Sequence, residues 1–339
     1  MLAMQLSQAG PIESGPLVCS EVPEPVPGPG EVRIKVHCCA ICRTDLHIIE
    51  GDLPLVLRPI VPGHQIVGIV DALGAGCQRL KLGMRIGAAW LRHTCGVCRF
   101  CTSGRENLCE SSQYTGYHAD GGYAEYALVP EDFAYEIPAG YGDIEVAPLL
   151  CAGIIGYRAL QRCNLRPGAR GAKLGIFGFG SSAHIVLQLA LHRGHEVYVV
   201  TRAEKHQQLA RSMGAKWCGS DASEMPARVD GAIVFAPSGA VVPAALTALD
   251  SGGVVALAGI HMTAIPALDY QAHLYRERDI HPVMANTRED GRELLAEAAQ
   301  ARVRPHTLTY PLREANRALT DMKAGRIEGT GVLVHGEKA

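Results

Sequence analysis

A strand, a glycine-rich turn and a helix follow one another in the second half of the chain, and this succession constrains the fold more than any other feature. The apolar run 174–177 predicts the strand, GFGSSA at 178–183 the turn, and 181–193 a helix that Gly194 ends. From about Pro167 onward the alternation predicts a doubly wound, parallel α/β sheet. The later predicted elements are strands at 196–200, 231–236, 253–259 and 280–284, and helices at 204–213 and 240–250.

The turn carries the residue types that a dinucleotide requires. Gly178 would make the tight bend, and Gly180 would let a pyrophosphate approach the backbone. Ala183 would occupy the close-packing position, and Ser181 opens a helix whose free N–H groups attract phosphate. The bare GxGxxA pattern also occurs as plain packing glycines, but its place between a strand and a helix favours dinucleotide binding.

Cofactor choice is expected about 20 residues further along, at the end of the second strand. The residues there are Thr201 and Arg202. A carboxylate would bind the ribose 2′-OH and repel a 2′-phosphate, so its absence beside a guanidinium favours NADP(H) over NAD(H). The alternative is that Arg202 is only a solvated charge at a strand end.

The first 150 residues have a different pattern. Short extended segments at 31–39, 66–73 and 123–129 are broken by Gly and Pro, which is typical of a β-rich domain. After a helix at 292–301, the segment that runs to Ala339 is too short to fold alone. We therefore expect a first domain at 1–150, a dinucleotide-binding domain at 151–290, and a segment at 291–339 that returns to the first domain.

Composition excludes several classes of function. The 339 residues include 32 basic and 34 acidic side chains, so no general attraction to nucleic acid is expected. No apolar run approaches the length that spans a bilayer, and residues 1–10 do not resemble a signal peptide. We interpret the chain as cytoplasmic, without a membrane partner. In such a chain 12 cysteines point to metal binding or catalysis rather than disulfides.

A run of cysteines predicts a metal site within one loop. Cys95, Cys98, Cys101 and Cys109 lie in CGVCRFCTSGRENLC, where two-residue gaps and a seven-residue gap allow one loop to surround an ion. Four thiolates around Zn²⁺ leave no open position, which suits a structural site. An iron–sulfur cluster and unpaired buried thiols are the alternatives.

Three further potential ligands are scattered along the chain. Cys42, His64 and Cys151 would give Zn²⁺ two thiolates and one imidazole, with a fourth position open for catalysis. Spacing alone favours the plainer interpretation, in which Cys151 is a small core residue and His64 a turn histidine.

Taken together, these residues resemble the zinc-dependent medium-chain alcohol dehydrogenase family, including its cinnamyl-alcohol-dehydrogenase-like branch, over nearly the whole chain. The resemblance rests on CRTDLH, PGHQ, the four-cysteine loop, GYHADGGYAEY at 116–126, LCAG, GFGSSA and KAGRIEGTGVLV at 323–334. It implies a GroES-like catalytic domain with an inserted Rossmann domain, and a homodimer or homotetramer. It also implies two zinc ions per chain, with Cys42, His64 and Cys151 holding the catalytic one and the four-cysteine loop the structural one.

The resemblance also implies roles for residues near the catalytic zinc. Asp45 matches a carboxylate that orients His64, Thr44 a hydroxyl that contacts the substrate oxygen, and His47 the end of a proton relay. Trp90 occupies a position similar to one that lines the substrate pocket. The plainer alternatives are helix capping by Thr44 and Asp45, a surface histidine at 47 and a core residue at 90.

Three positions depart from the family pattern. Gln65 stands where a Glu commonly follows the ligand histidine, and it cannot supply negative charge to the zinc. Ile155 and Thr330 replace a Thr beside the nicotinamide and an Arg that contacts phosphate in many relatives.

The expected function is transfer of a hydride between a primary alcohol or aldehyde and NADP(H) or NAD(H). A zinc-stabilised nucleotide-binding protein without redox turnover is one alternative. Dehydrogenation of a polyol or secondary alcohol is another.

Overall fold

The computed structural model describes residues 1–165 and 171–335, so the predicted change of pattern at Pro167 lies outside the described residues. The chain divides into two units. The first contains Met1–Cys151, Ala285–Ala299 and the C-terminal part from Pro305. The second contains Ala152–Met284 and Gln300–Arg304. The second unit is thus inserted into the first.

The first unit begins as a β-rich structure with two helices. Its strands are β1 (Leu2–Leu6), β2 (Leu17–Glu21), β3 (Glu31–Ala40), β4 (Gln65–Leu73), β5 (Arg85–Ala88), β6 (Leu91–His93), β7 (Gln113–Tyr114), β8 (Tyr126–Pro130) and β9 (Ala134–Glu136). Its helices are α1 (Arg43–Glu50) and α2 (Asp143–Val146).

Strand β3 shows why this half folds as a sheet. Val32, Ile34 and Val36 are buried and alternate with less buried polar residues such as Lys35. The period of two places the aliphatic side chains on one face, where they join the core of the unit. β3 pairs antiparallel with both β4 and β8.

The predicted strand at 123–129 begins three residues late, at Tyr126. Residues 123–125 instead bridge to β1, where the backbone N–H of Met4 donates to the Tyr123 carbonyl at 2.8 Å and that of Glu125 donates to the Leu2 carbonyl at 3.0 Å. The prediction was wrong at this end because these residues pair with a different strand.

The second unit is a doubly wound Rossmann fold, as predicted. Its elements are α3 (Ala152–Arg162), β10 (Lys173–Phe177), α4 (Ser181–His192), β11 (Glu196–Val200), α5 (Glu204–Ser212), β12 (Trp217–Gly219), β13 (Val229–Val234), α6 (Val242–Ala248), β14 (Leu249–Leu257), α7 (Tyr270–His273) and β15 (Asp279–Pro282). The strands form one sheet in the order β12-β11-β10-β13-β14-β15, and each neighbouring pair is parallel.

The helix predicted at 240–250 is shorter than expected. It begins at Val242, with Pro243 in its first turn where the missing N–H is not needed, and it ends at Ala248. Leu249 is already extended and fully buried in β14, so tertiary burial overrides the local helical pattern.

The chain then returns to the first unit through α8 (Arg288–Ala301), β16 (Thr307–Pro311), α9 (Ala315–Lys323) and β17 (Thr330–Val334). Helix α8 begins four residues before the predicted 292, because Thr287 and Asp290 exchange capping hydrogen bonds of 2.7 Å and 3.2 Å. The main sheet of the unit has the order β16-β17-β3-β4-β5-β9.

Among the described residues, none of the helices combines the length and the apolar character needed to cross a bilayer.

Candidate active site

The three scattered ligand candidates come together in the first unit. Cys42 immediately precedes α1, His64 immediately precedes β4, and Cys151 follows a short 3-10 helix, Ala147–Leu150. Their ligand atoms all lie within 4.8 Å of one another. The Sγ atoms of Cys42 and Cys151 are 3.8 Å apart. Two thiolates about 2.3 Å from a tetrahedral zinc would be about 3.8 Å apart, whereas disulfide sulfurs are about 2 Å apart.

The orientation of His64 fits a metal ligand. Its Nδ1 lies 2.9 Å from Asp45 Oδ1, and because a carboxylate only accepts, Nδ1 carries the proton. In the neutral imidazole Nε2 therefore presents the lone pair; this atom is buried and has no hydrogen-bond partner among the described residues. A buried nitrogen of this kind normally has a partner, and Zn²⁺ between His64 and the two thiols would satisfy it.

Charge at the cluster also matches a cation site. Burial lowers the pKa of His64, but the carboxylate of Asp45 and the sulfur of Cys42 outweigh it and raise that pKa to about 10. A metal ion that binds Nε2 must therefore displace a proton, as metals commonly do at histidine and cysteine.

Asp45 connects two of the candidate ligands. Its Oδ1 accepts from His64, and its Oδ2 accepts from the backbone N–H of Cys42 at 2.8 Å. The second bond belongs to a capping box in which the Cys42 sulfur accepts from the backbone N–H of Thr44 at 3.5 Å. The two interpretations of Asp45 are thus compatible, since one carboxylate both caps α1 and orients the imidazole.

Thr44 and His47 lie on the same helix at different distances from the cluster. Thr44 is buried, and its Oγ1 is 3.6 Å from Cys42 Sγ. His47 lies in the last turn of α1, where its Nδ1 is 2.7 Å from Asp52 Oδ2.

Trp90 flanks the cluster within an aromatic stack. Its ring centroid is 5.0 Å from that of His64, nearly edge-on at 70°. Tyr114 stacks on the indole at 4.7 Å, and Tyr117 lies 6.0 Å from it at a shallow angle. Tyr117 in turn donates from its hydroxyl to the carbonyl of Pro54 at 2.9 Å. Sequence reasoning named Trp90 but missed both tyrosines, although Tyr117 lies within the GYHADGG segment and Tyr114 two residues before it.

The second cluster lies within one loop of the first unit. Cys95, Cys98, Cys101 and Cys109 bring their sulfurs within 4.8 Å of one another, with separations of 4.0 Å from Cys95 to Cys101 and 3.6 Å from Cys98 to Cys101. Backbone N–H groups of Val97 and Cys98 hold the pKa of Cys95 below its usual range. The loop therefore stabilises the thiolate of Cys95, the form that binds metal, whereas burial raises the pKa of Cys101 to about 11.

An ion pair fixes this loop to the start of α8. Glu106, between the third and fourth cysteines, accepts two bonds from Arg288 Nε at 3.0 and 3.1 Å and one from Nη2 at 2.7 Å. The backbone N–H of Arg288 donates to the same carboxylate at 2.8 Å. Because this N–H opens α8, the carboxylate also interacts favourably with the helix dipole.

The glycine-rich turn of the second unit leaves space for a ligand next to its backbone. Gly178 has φ +91°, and a Cβ there would lie 3.0 Å from the backbone nitrogen of Ala236. A Cβ on Gly180 would meet nothing within 4 Å. Ser181 begins α4, so the open space at Gly180 lies at the N-terminus of this helix. Ala183 is fully buried.

His184, in the first turn of α4, contacts the glycine-rich turn. It is fully buried, and its Nδ1 is 3.2 Å from the Gly180 carbonyl. At the end of β11, Thr201 is buried and Arg202 is exposed.

The three departures from the family pattern have different surroundings. Gln65 is buried, and its Oε1 has no hydrogen-bond partner in the part of the chain that the structure describes. Ile155 lies on α3, half-buried, and Thr330 begins β17, buried.

Comparison with known proteins gives two matching family profiles. The alcohol dehydrogenase GroES-like domain matches residues 28–139, and the zinc-binding dehydrogenase domain matches residues 183–300. A probable alcohol dehydrogenase, AdhA of Mycobacterium tuberculosis, is 50% identical, with 98% of this chain and 97% of the relative covered. An alcohol dehydrogenase of Geobacillus stearothermophilus is 35% identical over 94% of this chain and 95% of its own.

Solved structures share the fold. A cinnamyl alcohol dehydrogenase of Sorghum bicolor superposes with a TM-score of 0.89 at 26% identity, covering 98% of this chain and 97% of that one. Similar structures include one solved with NAD and one with NADP.

Proposed function

This chain belongs to the zinc-dependent medium-chain alcohol dehydrogenase family, and from that membership we propose that it interconverts primary alcohols and aldehydes with NADP(H) preferred to NAD(H). The proposal is carried by one observation: the buried, unpartnered Nε2 of His64 lies beside two thiols whose sulfurs are 3.8 Å apart. Family membership favours this enzyme over the alternative of a nucleotide-binding protein without turnover.

Zn²⁺ held by Cys42, His64 and Cys151 supplies a Lewis acid that polarises the alcohol or carbonyl oxygen. Asp45 keeps the proton of His64 on Nδ1 and the Nε2 lone pair toward the metal. The Thr44 hydroxyl, beside Cys42, contacts the substrate oxygen. His47, paired with Asp52, is the end of the proton relay and exchanges its proton with water.

Trp90 forms one wall of the substrate site in this proposal. Its contact with the ring of the candidate ligand His64 supports this role, as does the stacking by Tyr114, which restricts the orientation of the indole. A flat, rigid wall favours planar or aromatic substrates, which agrees with the cinnamyl-alcohol-dehydrogenase-like resemblance.

A second Zn²⁺ in the four-cysteine loop completes the proposed content of two per chain. Four thiolates fill its coordination, so this ion stabilises the loop and takes no part in the reaction. In this assignment the first unit is the GroES-like catalytic domain.

The second unit binds the nicotinamide nucleotide through Gly178, Gly180, Ser181 and Ala183. Thr201 and Arg202 support the preference for NADP(H), because the first lacks a carboxylate and the second is exposed and cationic. We also propose a homodimer or homotetramer assembled through this unit, and a cytoplasmic location.

One assay tests the proposal. Purified protein is analysed for zinc, and the absorbance of reduced nicotinamide is followed with both cofactors against a panel of alcohols and aldehydes. We expect two zincs per chain and faster oxidation of NADPH than of NADH with aromatic aldehydes. One zinc and no hydride transfer across a broad panel would reject the proposal. Turnover confined to secondary alcohols or polyols would reject the primary-alcohol assignment alone.

A further inference from the structure

A buried tyrosine completes the hydrogen bonding of Asp45. Tyr123 has no exposed surface, and its hydroxyl donates to Asp45 Oδ2 at 3.0 Å. The same oxygen accepts from the backbone N–H of Cys42, and the other oxygen from His64. The buried carboxylate thus has three donors, of which two belong to candidate zinc ligands and the third is Tyr123.

The ring of Tyr123 also lies against the backbone that leads into His64. Gly63 has φ +98°, and a Cβ there would approach Tyr123 Cδ1 to 2.4 Å. The two backbones are joined by bonds from Tyr123 N to the Pro62 carbonyl at 3.0 Å and from Gly122 N to the Gly63 carbonyl at 2.9 Å. Only glycine at 63 allows so close an approach, so the phenol has a fixed position relative to His64.

We propose that Tyr123 is a positioning residue of the metal centre, whose hydroxyl holds Asp45 in the one orientation that serves Cys42 and His64 together. This inference rests on the proposed zinc at Cys42, His64 and Cys151. A carboxylate with no exposure is costly to leave short of donors, and without the phenol Oδ2 would retain only the Cys42 N–H. Asp45 would then be free to tilt, and the imidazole would tilt with it.

The phenol is suited to a constant donor role. Burial first, and the charge of Asp45 second, hold the pKa of Tyr123 well above its usual range. The hydroxyl is therefore a proton donor at neutral pH, where even an unperturbed phenol is protonated.

The test uses Tyr123→Phe, which keeps the ring against Gly63 and removes only the hydroxyl. The zinc-loaded protein is challenged with a chromophoric chelator, and zinc release from the two clusters is resolved by reference to Cys151→Ser, which retains only the four-cysteine zinc. We expect Tyr123→Phe to lose the three-ligand zinc about tenfold faster, at the lower end of the effect of groups that support metal ligands. Release from the four-cysteine loop should be unchanged, and cobalt at the three-ligand site should show a shifted visible spectrum.

Two other tyrosines give matched controls in the same unit. Tyr310 donates to Asp321 Oδ2, also at 3.0 Å, far along the chain from any candidate ligand. Tyr135 is buried, and its hydroxyl has no hydrogen-bond partner among the described residues. Tyr310→Phe and Tyr135→Phe should release both zincs at the wild-type rate.

Each other outcome has a distinct meaning. If wild-type protein holds no metal at the three-ligand cluster, the proposed function fails. If wild-type protein holds two zincs and Tyr123→Phe releases them at the same rates with the same cobalt spectrum, only this inference fails. If Tyr123→Phe loses both zincs together or does not fold, the hydroxyl supports the whole unit rather than the metal centre, and the assignment is overturned.

Discussion

The two cysteine clusters of the first unit are built in opposite ways. In the four-cysteine loop, Cys95 and Cys109 are 14 positions apart, and the intervening loop brings every sulfur together. In the other cluster, Cys42 and Cys151 are 109 positions apart, and one candidate ligand lies beside each of a helix, the start of a strand and a 3-10 turn. A local ligand set depends on spacing, whereas a dispersed one depends on the completed fold.

The supporting groups differ in the same way. In the four-cysteine cluster, backbone N–H groups of the loop itself donate to the sulfurs of Cys95 and Cys109. In the three-ligand cluster, the buried carboxylate of Asp45 accepts from His64 and from the distant phenol of Tyr123. Four thiolates give a closed and anionic zinc site, while two thiolates and an imidazole leave zinc nearly neutral and open. The comparison therefore predicts different consequences when each cluster is damaged.

Cys151→Ser should have the largest effect. Removing one of three ligands should release one zinc and lower kcat about a thousandfold or more, because Lewis-acid stabilisation contributes several kcal/mol. Zinc analysis and steady-state kinetics check this, with Cys77→Ser as a control, since Cys77 is half-buried and belongs to neither cluster. Full turnover in Cys151→Ser would contradict the assignment of the third ligand.

Cys95→Ser should act on stability instead. Loss of the loop zinc should lower the free energy of unfolding by about 3 kcal/mol, or Tm by roughly 10 °C, with kcat of the folded fraction largely preserved. Calorimetry and zinc analysis provide the measurement. If kcat fell as steeply as in Cys151→Ser while Tm held, the division of labour between the clusters would be wrong.

Asp45→Asn should weaken zinc binding at the three-ligand cluster without removing a ligand. The amide can no longer accept equally from His64, Cys42 and Tyr123, so zinc affinity at the dispersed cluster should fall about 10–100-fold. Metal competition measures this, and Asp321→Asn, which alters another tyrosine-bonded carboxylate, should leave it unchanged. Equal affinities in wild type and Asp45→Asn would remove the carboxylate from the metal centre.

Glu106→Gln should have the smallest effect, about 1–2 kcal/mol of unfolding free energy at neutral pH. Burial raises the pKa of Glu106, but hydrogen bonds and charge from Arg288 outweigh it and lower that pKa in the folded state. The stabilisation is therefore complete above the unfolded pKa and is lost as pH falls through the folded one. The free energies of unfolding of wild type and Glu106→Gln, measured at a series of acidic pH values, should become equal as the pH falls. Glu289→Gln removes an exposed pair with Arg292 and should have nearly the unfolding free energy of wild type at every pH. If wild type stayed more stable than Glu106→Gln by the same amount at low pH, the ion-pair account would be refuted.

The sequence predicted the fold class because the spacing of apolar residues along a strand or helix is a local property. The strand–turn–helix at Gly178 and the change from period two to alternating strands and helices are both visible in short windows. The boundary at Leu249 was wrong because burial in β14 outweighed helical propensity, and the start of α8 at Arg288 was missed because the Thr287–Asp290 capping pair was not recognised.

The candidate site was predictable only in part, for the same reason. Spacing indicated the four-cysteine loop, but Cys42, His64 and Cys151 required a family resemblance, since nothing local joins them. The stack on Trp90 and the bond from Tyr123 to Asp45 were missed because each depends on which loops meet in space. Side chains that support ligands leave less trace in sequence than the ligands themselves.

The insertion of the second unit has a consequence for biosynthesis. Strand β3 pairs with β17, Ala40 lying opposite Val332, and Glu106 is fastened to Arg288, which is 182 positions later. The first unit therefore cannot complete its sheet before β17 is synthesised or anchor its four-cysteine loop before Arg288 is, whereas most of the second unit comes from one continuous stretch. During translation, the unit that begins second is the first able to finish folding.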